Sequence, residues 1–393
     1  MEHEAIKRAI EAEKTPFYLF DTDAAAAKVQ KLKSALGPRA KICFAVKANP
    51  FLAGALEGAA DFFEVCSPGE ARICARAKVP DEKIVLSGVY KDPAEIRNLV
   101  RERNIGCWTV ESLLQWELLC GCAKEYGRPL RLLLRLSSGS QFGLEKEDIC
   151  RIFQSLRPDE TAKICGIQYF SGTQKKSAAR IEKELAQLDD FLRELHERFG
   201  FDADRLEYGP GFPVDYFGES PGLEDETLAC LQKSLRAMAW QGPVVLEMGR
   251  EPAAFCGCYV TSVVDVKQTD GENFCIADGG IHQLTYYGQM LGLKTPPVSL
   301  WDGGGERALW SVFGSLCTKN DVLVKNHPFD GLRVGSRLVF EQVGAYAVTE
   351  GIALFLSREL PPVLLWSKEK GLEIARGRVE TDRWNSPEGE KEL

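Results

Sequence analysis

The sequence predicts an α/β fold: a (β/α)8 TIM barrel plus a C-terminal, mostly antiparallel β domain that also takes the N-terminal strand. After residue 24, short β-rich runs alternate with helical patterns, which is the order of a parallel sheet built from crossover units. There are eight such runs, and they span about 240 residues, the usual size of a closed eight-stranded barrel. From Cys258 onward the helical patterns stop and β-rich runs separated by turn signals continue. The expected divisions are 1–23 (joining the β domain), 24–257 (barrel), 258–375 (β domain) and 376–393, a polar tail expected to fray.

Taken in order, the run Phe17–Phe20 is short and apolar and precedes the barrel. The barrel strands are read at Ile42–Val46, Phe62–Cys66, Lys83–Leu86, Gly106–Val110, Arg131–Leu136, Lys163–Phe170, Leu206–Tyr208 and Val244–Glu247. Helical stretches lie between them at Ala24–Leu36, Pro93–Arg103, Ser112–Tyr126, Ser177–Phe199 and Glu226–Ala239, several opened by Asp, Ser or Asp-Pro signals. In the β domain, the run from Tyr259 to Lys267 meets Asn273–Gly280 across the turn Thr269-Asp270-Gly271-Glu272. Further β-like runs follow at Asp321–Val324, Ser336–Phe340 and Val363–Trp366.

The chain has 393 residues, 45% hydrophobic and 27% charged, with a formal charge of -8. That balance offers no basic footprint, so nucleic acid and membrane are not expected partners. The opening residues lack an apolar signal core and no run reaches membrane-spanning length, so the expectation is a cytoplasmic protein. Thirteen cysteines are scattered without a C-x-x-C pair, so no metal site is expected. Most lie in apolar segments, among them Cys43, Cys165 and Cys275, and read as reduced, buried thiols.

Chemistry concentrates in Lys41–Pro50, KICFAVKANP. Ile42, Phe44 and Val46 alternate with small residues as in a buried strand, and Pro50 closes it. Lys47 therefore stands at the C-terminal end of the first barrel strand, where barrels carry their active sites. Taken alone, such a lysine is more often a solvated strand end; partly desolvated, it is a plausible Schiff-base nucleophile. Two loops favour the second reading. Gly209-Pro210-Gly211-Phe212 follows the seventh strand and Glu247-Met248-Gly249-Arg250 the eighth, the positions where barrels most often hold a phosphate. Strand ends converge on one mouth, so an amine, a phosphate nest and the Glu247 carboxylate can all serve pyridoxal 5'-phosphate, which needs each of them.

At this point the sequence resembles the fold-type III pyridoxal-phosphate decarboxylases, the group of diaminopimelate, ornithine and arginine decarboxylases with an alanine-racemase-like barrel. The resemblance runs through AVKAN around Lys47, EVCSPGE at Glu64–Glu70, QFGL at Gln141–Leu144, GIQYFSGTQ at Gly166–Gln174, the glycine turn and EMGR at Glu247–Arg250. It continues through DGG at Asp278–Gly280, GSLCTKND at Gly314–Asp321 and GAY at Gly344–Tyr346. It implies a homodimer with shared active sites acting on a small amino-acid-type substrate. Lys47 would carry the cofactor and Glu247 would pair with its ring nitrogen. Thr173, Gly209, Gly211, Gly249, Arg250 and Tyr346 would hold its phosphate, and Phe170 would stack on its ring. Cys317 would protonate the carbanion left by CO2, reaching into the partner's site, and Thr318, Asp321 and His282 fall to the substrate.

The departures bear on specificity. Phe170 and Gln168 stand where the family has histidines, and Thr318 where many members have an acidic residue after the cysteine. The arginine-proline pair that helps diaminopimelate decarboxylases hold a distal carboxylate is missing; His282, Gln283, Thr285, Tyr286 and Tyr287 occupy that region. Leaving the ends of a diaminopimelate unpaired in a buried pocket costs a few kcal/mol. The Cys317-Thr318 version of the motif resembles the branch that decarboxylates larger conjugated amino acids in siderophore or other specialised biosynthesis, and the resemblance implies α-decarboxylation of an amino acid or amino-acid conjugate of that type, with meso-diaminopimelate as the alternative substrate. A racemase is disfavoured because racemases of this fold generally set an arginine at the ring nitrogen; a non-catalytic homologue need not keep both Lys47 and Cys317.

Overall fold

A computed structural model describes residues 1–156, 161–287, 289 and 291–387. The chain forms two compact units: Ala26–Val214 with Ser220–Pro252, and Met1–Ala25 with Asp215–Glu219 and Ala253–Leu393. It opens with α1 (His3–Ala12), β1 (Phe17–Asp21) and α2 (Thr22–Leu36). The barrel strands follow as β2 (Ala40–Ala45), β3 (Phe62–Val65), β4 (Ile84–Leu86), β5 (Cys107–Val110), β6 (Leu130–Arg135), β7 (Ala162–Phe170), β8 (Arg205–Gly209) and β9 (Val244–Met248). Among the described residues these eight close on themselves, all parallel, with β2 paired to both β3 and β9. The helices interleaved with them are α3 (Pro68–Arg76), α4 (Pro93–Glu102), α5 (Leu113–Tyr126), α6 (Lys146–Ser155), α7 (Ala178–Phe199), α8 (Leu223–Ala237) and the short α9 (Arg250–Ala254). Side chains at Ser67, Asp92 and Ser112 accept from the first-turn amides of α3, α4 and α5, which fixes where each helix starts.

Alternation along the strands layers the barrel interior. Cys43, Val85, Cys107, Leu133, Cys165 and Val245 form one apolar layer, with Phe62 packed against it. Two residues further along, the same faces carry Glu64, Ser87, Thr109, Arg135 and Glu247, so the interior turns polar toward the C-terminal ends of the strands. On β7 the step is three residues, because the register against β6 slips between Leu132 and Leu133. The extra residue lets Cys165 join the apolar layer and Gln168 the polar one. At this slip Gly166 passes so close to Arg205 that a Cβ would overlap its carbonyl oxygen.

The other unit is a sheet of nine strands among the described residues. Its strands are β1 with β10 (Gly257–Thr269), β11 (Glu272–Ala277), β12 (Val298–Leu300), β13 (Arg307–Phe313), β14 (Val322–Asp330), β15 (Arg337–Glu341), β16 (Val363–Ser367) and β17 (Gly371–Arg376). β1 lies between β10, antiparallel, and β16, parallel. Leu19 and Phe17 pack there with Cys258, Val260, Val339, Leu364 and the α1 residues Ile6 and Ala9. The N-terminal segment is thus a central member of this sheet.

Two expectations are corrected. The tail is anchored as far as the description extends: Val379 pairs with Leu360, and Thr381 Oγ1 donates to Arg358 O at 3.0 Å. Asn385 Nδ2 also donates to Leu354 O at 2.7 Å, so backbone and side-chain bonds hold what composition alone marks as frayed; residues 388–393 lie outside the described residues. Ala253 and Ala254 belong with the β unit, where Gly344 packs against them and its N–H donates to Ala254 O at 3.0 Å.

Candidate active site

Lys47 sits in a single 3-10 turn, Val46–Ala48, immediately after β2. Asn49 then accepts from Phe51 N and Pro50 starts the next short turn, so the strand ends where the sequence places it. The Lys47 side chain is 43% exposed, and its ammonium pairs with Glu64, one residue from the end of β3, and lies 3.4 Å from Cys66 Sγ. Glu64 is buried. Burial alone would raise its pKa, but the charge and hydrogen bond of Lys47 outweigh it and hold the carboxyl below the usual range. The EVCSPGE motif explains why Glu64 is fixed: Ser67 caps α3, and Glu70 reaches back to accept from Cys66 N at 2.6 Å, just beyond Glu64.

Glu247 is the penultimate residue of β9. Burial first, and then the neighbouring carboxylates Glu64 and Glu207, push its pKa well above the ordinary value, while Lys47 pulls the other way. Glu207 is also raised by burial, against the pull of Arg205, whose Nη2 lies 2.7 Å from Glu207 Oε2. Of the two, burial and acidic neighbours raise Glu247 most strongly, so its carboxyl favours the protonated form. Gln168 Nε2 donates to Glu247 Oε1, and Ser87 Oγ is 3.0 Å from Thr109 Oγ1 beside it. A buried acid held ready to exchange a proton is what a pyridine nitrogen requires.

The glycine turn after β8 is packed against the turn after β7. Gly211 has φ +62°, and a Cβ there would overlap Gly172 O; a Cβ at Gly209 would strike the Phe170 ring. Lys175 N donates to Gly211 O at 2.9 Å, and the Gln174 amide pairs with both backbone groups of Val214, at 3.0 and 2.6 Å. Thr173 is exposed at the tip of the β7 turn. Gly249 stands against Ala48 Cβ, 2.8 Å from where its own Cβ would be, so the turns after β2 and β9 also approach closely. Arg250 follows, buried, at the start of α9. The barrel mouth thus gathers Lys47, Phe170, Gly209, Gly211, Glu247, Gly249 and Arg250.

Sequence reasoning missed Glu64 and Glu207 as site groups, although their strand phase matches that of Glu247. It also missed the Arg135–Glu111 pair at 3.1 Å, which the QFGL segment supports: Phe142 lies under the Arg135 guanidinium at 4.6 Å, and Leu144 N donates to Arg135 O. Lys91 is a second buried amine at this end, donating to Gly88 O at 2.7 Å, its pKa lowered by burial to about 8.

In the β unit, Cys317 is exposed on a loop between β13 and β14, with Thr318 beside it. Tyr346 adopts φ +69°, a conformation bulky residues rarely take, and its carbonyl accepts from Thr349 N and Glu350 N at 2.9 Å. Two residues expected at the substrate are enclosed within the β unit. Asp321 is 1% exposed, and its oxygens accept from Ile281 N at 2.8 Å and Leu316 N at 2.7 Å, so it presents no open carboxylate. His282 is 3% exposed; burial, and then the charge of Arg358, lower its pKa to about 4.

An amine at one strand end, a buried acid at another and a glycine-lined turn between fit a phosphorylated pyridine aldehyde, and they define a pyridoxal-phosphate enzyme of fold type III. Residues 23–254, more than half of the chain, match the family described as pyridoxal-dependent decarboxylase, pyridoxal binding domain, and the chain belongs to that family. It is a decarboxylase whose cofactor is pyridoxal 5'-phosphate. It is 28% identical to an L-glutamyl-[BtrI acyl-carrier protein] decarboxylase of Niallia circulans, over 94% of this chain and 92% of that one. It is 25% identical to a diaminopimelate decarboxylase of Zymomonas mobilis, over 92% and 90% of the two chains. The crystal structure of the M. jannaschii diaminopimelate decarboxylase superposes with a TM-score of 0.86 at 23% identity, covering 99% of this chain and 95% of that one. Among the described residues no helix is long and apolar enough to cross a membrane.

Proposed function

We propose that the chain removes the α-carboxylate of an amino acid carried as a conjugate, or of an amino acid lacking a charged distal end, releasing CO2 and an amine. The observation that carries this reading is the juxtaposition, at one end of the barrel, of Lys47, paired with Glu64, and Glu247, which accepts from Gln168 and whose pKa burial and neighbouring carboxylates raise. When bound, the cofactor supplies an aldehyde for amines and a ring that draws electrons from Cα. Lys47 is the amine that holds it and yields it to the substrate. Glu247, oriented by Gln168, keeps a proton at the ring nitrogen. Gly209, Gly211, Gly249, Arg250, Thr173 and Tyr346 grip the phosphate, and Phe170 covers a ring face. The Cys317 thiol gives its proton to Cα as CO2 leaves, in a homodimer with shared active sites.

For the substrate, three features favour a conjugate. Thr318 brings no charge beside Cys317, the region where the arginine-proline pair is missing holds Tyr286, whose hydroxyl is spent on Glu341 O at 2.6 Å, and a relative is an L-glutamyl-[BtrI acyl-carrier protein] decarboxylase. Acylation consumes one of glutamate's two carboxylates, leaving the α-carboxylate for decarboxylation and no distal charge to pair. The likeness to the Zymomonas mobilis enzyme favours meso-diaminopimelate as the second reading. Thirteen free cysteines fit a reducing, cytoplasmic compartment. The test is CO2 release from L-glutamate, carrier-bound L-glutamate, meso-diaminopimelate, L-lysine and L-ornithine. Preferred turnover of the carrier-bound form supports the proposal; preferred turnover of meso-diaminopimelate selects the second reading.

A further inference from the structure

We infer that Asp321 is the positioning residue of the proton donor: its carboxylate closes the Cys317 loop and ties it to the segment carrying His282. The inference rests on the reading of Cys317 as the acid that protonates Cα. The loop from Gly314 to Asp321 is closed at its base by Gly314 N donating to Asp321 O at 2.9 Å. Inside that ring, Asp321 Oδ2 accepts from Leu316 N at 2.7 Å, the amide directly preceding Cys317. Its other oxygen accepts from Ile281 N at 2.8 Å, and Ser315 N donates to Gly279 O at 2.8 Å, so the DGG segment is pinned to the same loop. Glycines are required on both sides. A Cβ at Gly280 would come within 2.6 Å of Asp321 Oδ2, and one at Gly314 would overlap the carboxylate.

The result is an asymmetry between neighbours four residues apart. Asp321 is 1% exposed and fully engaged, while Cys317 stands exposed at the far corner of the turn. Thr318 N donating to Leu316 O at 2.8 Å completes the corner, so the direction of the thiol is set by an amide whose acceptor is the carboxylate. A proton delivered to a trigonal carbon arrives on one face only if its donor is held on that face. Asp321 therefore acts through Cys317, fixing the face and timing of protonation without touching the substrate.

The experiment uses the holoenzyme and its isosteric variant Asp321→Asn, in which an amide NH2 meets one of the two backbone N–H donors. Reaction is run in D2O with the member of the CO2 panel that turns over fastest, and the configuration of deuterium at the product Cα is read by NMR. Wild type should give one configuration; Asp321→Asn should give a mixture, with kcat at least tenfold lower and KM within twofold. Alkylation of Cys317 by iodoacetamide, followed by peptide mass spectrometry, needs no substrate and should change at least threefold in rate. Gly314→Ala, which pushes the carboxylate off Leu316 N, should reproduce both effects should the asparagine variant fold poorly. A single configuration at wild-type kcat together with an unchanged alkylation rate in Asp321→Asn overturns the inference. Cys317→Ala separates the two layers: if it keeps full rate and one configuration, the reading of Cys317 fails whatever Asp321 does.

Discussion

Three carboxylates within one barrel end would repel one another if all were ionised, and the site settles this by giving them different roles. Glu64 keeps its charge because Lys47 neutralises it, whereas Glu247 retains a proton because burial and two acidic neighbours penalise its ionised form. The sign of the resulting pH dependence follows. A folded-state pKa above the ordinary 4.5 means that the native apoprotein binds this proton more tightly than the unfolded chain. The stabilisation is complete below that pH and is lost as pH rises through the raised value. Apoprotein carrying Glu247→Gln, which has no proton to lose, should melt above wild type at pH 8, with the gap narrowing toward pH 5. Parallel melting profiles of the two apoproteins across that range would contradict this assignment. Lys47, Glu247 and Arg250 are legible in sequence because each lies within three residues of a glycine or proline that marks a strand end. Glu64 is not, because it hides within an apolar strand, and the inward aim of Gln168 is not, because it depends on the extra residue that β7 carries.

The turns matter as much as the side chains they carry. Gly211 needs φ +62° and lies against Gly172 O, so Gly211→Ala brings backbone strain of about 1–3 kcal/mol into the turn proposed to hold phosphate. Its expected signature is a rise of more than tenfold in the dissociation constant for pyridoxal 5'-phosphate, read by cofactor fluorescence, at nearly unchanged helix content. Wild-type affinity would remove this turn from the phosphate site. The eight barrel strands were legible because each is a short apolar run that stops at a polar or glycine-rich loop, and α2, α4, α5, α7 and α8 because helical periodicity marks them, with Asp-Pro or Ser signals opening α4, α5 and α7. Helices α1, α3 and α6 escaped for a common reason. They are about ten residues long and so amphipathic that their charged faces dominate the composition, and only packing reveals the apolar side: Ala5, Ile6 and Ala9 on α1, and Ile149, Ile152 and Phe153 on α6.

Across the whole molecule, the β unit is assembled from both ends of the chain. β1 enters first in sequence but occupies a central place between β10 and β16, so that sheet cannot close until residue 363 and beyond have been made. Leu19 is fully buried in its core, and Leu19→Ala should lower stability by about 3 kcal/mol, measured by urea denaturation, although the residue lies outside the barrel. A loss below 1 kcal/mol would mean that β1 is dispensable to the sheet. The role of Phe17–Phe20 was readable as an extra β run, but strands Val298–Leu300, Arg307–Phe313 and Gly371–Arg376 were not, since alternation there is broken by exposed polar residues. The account as a whole depends on which amine carries the cofactor. Borohydride reduction of the purified holoenzyme, digestion and mass spectrometry should find a phosphopyridoxyl group on Lys47, and Lys47→Ala should lose both this adduct and the visible cofactor band. An adduct on Lys91 or Lys175 instead, with Lys47 unmodified, would contradict it.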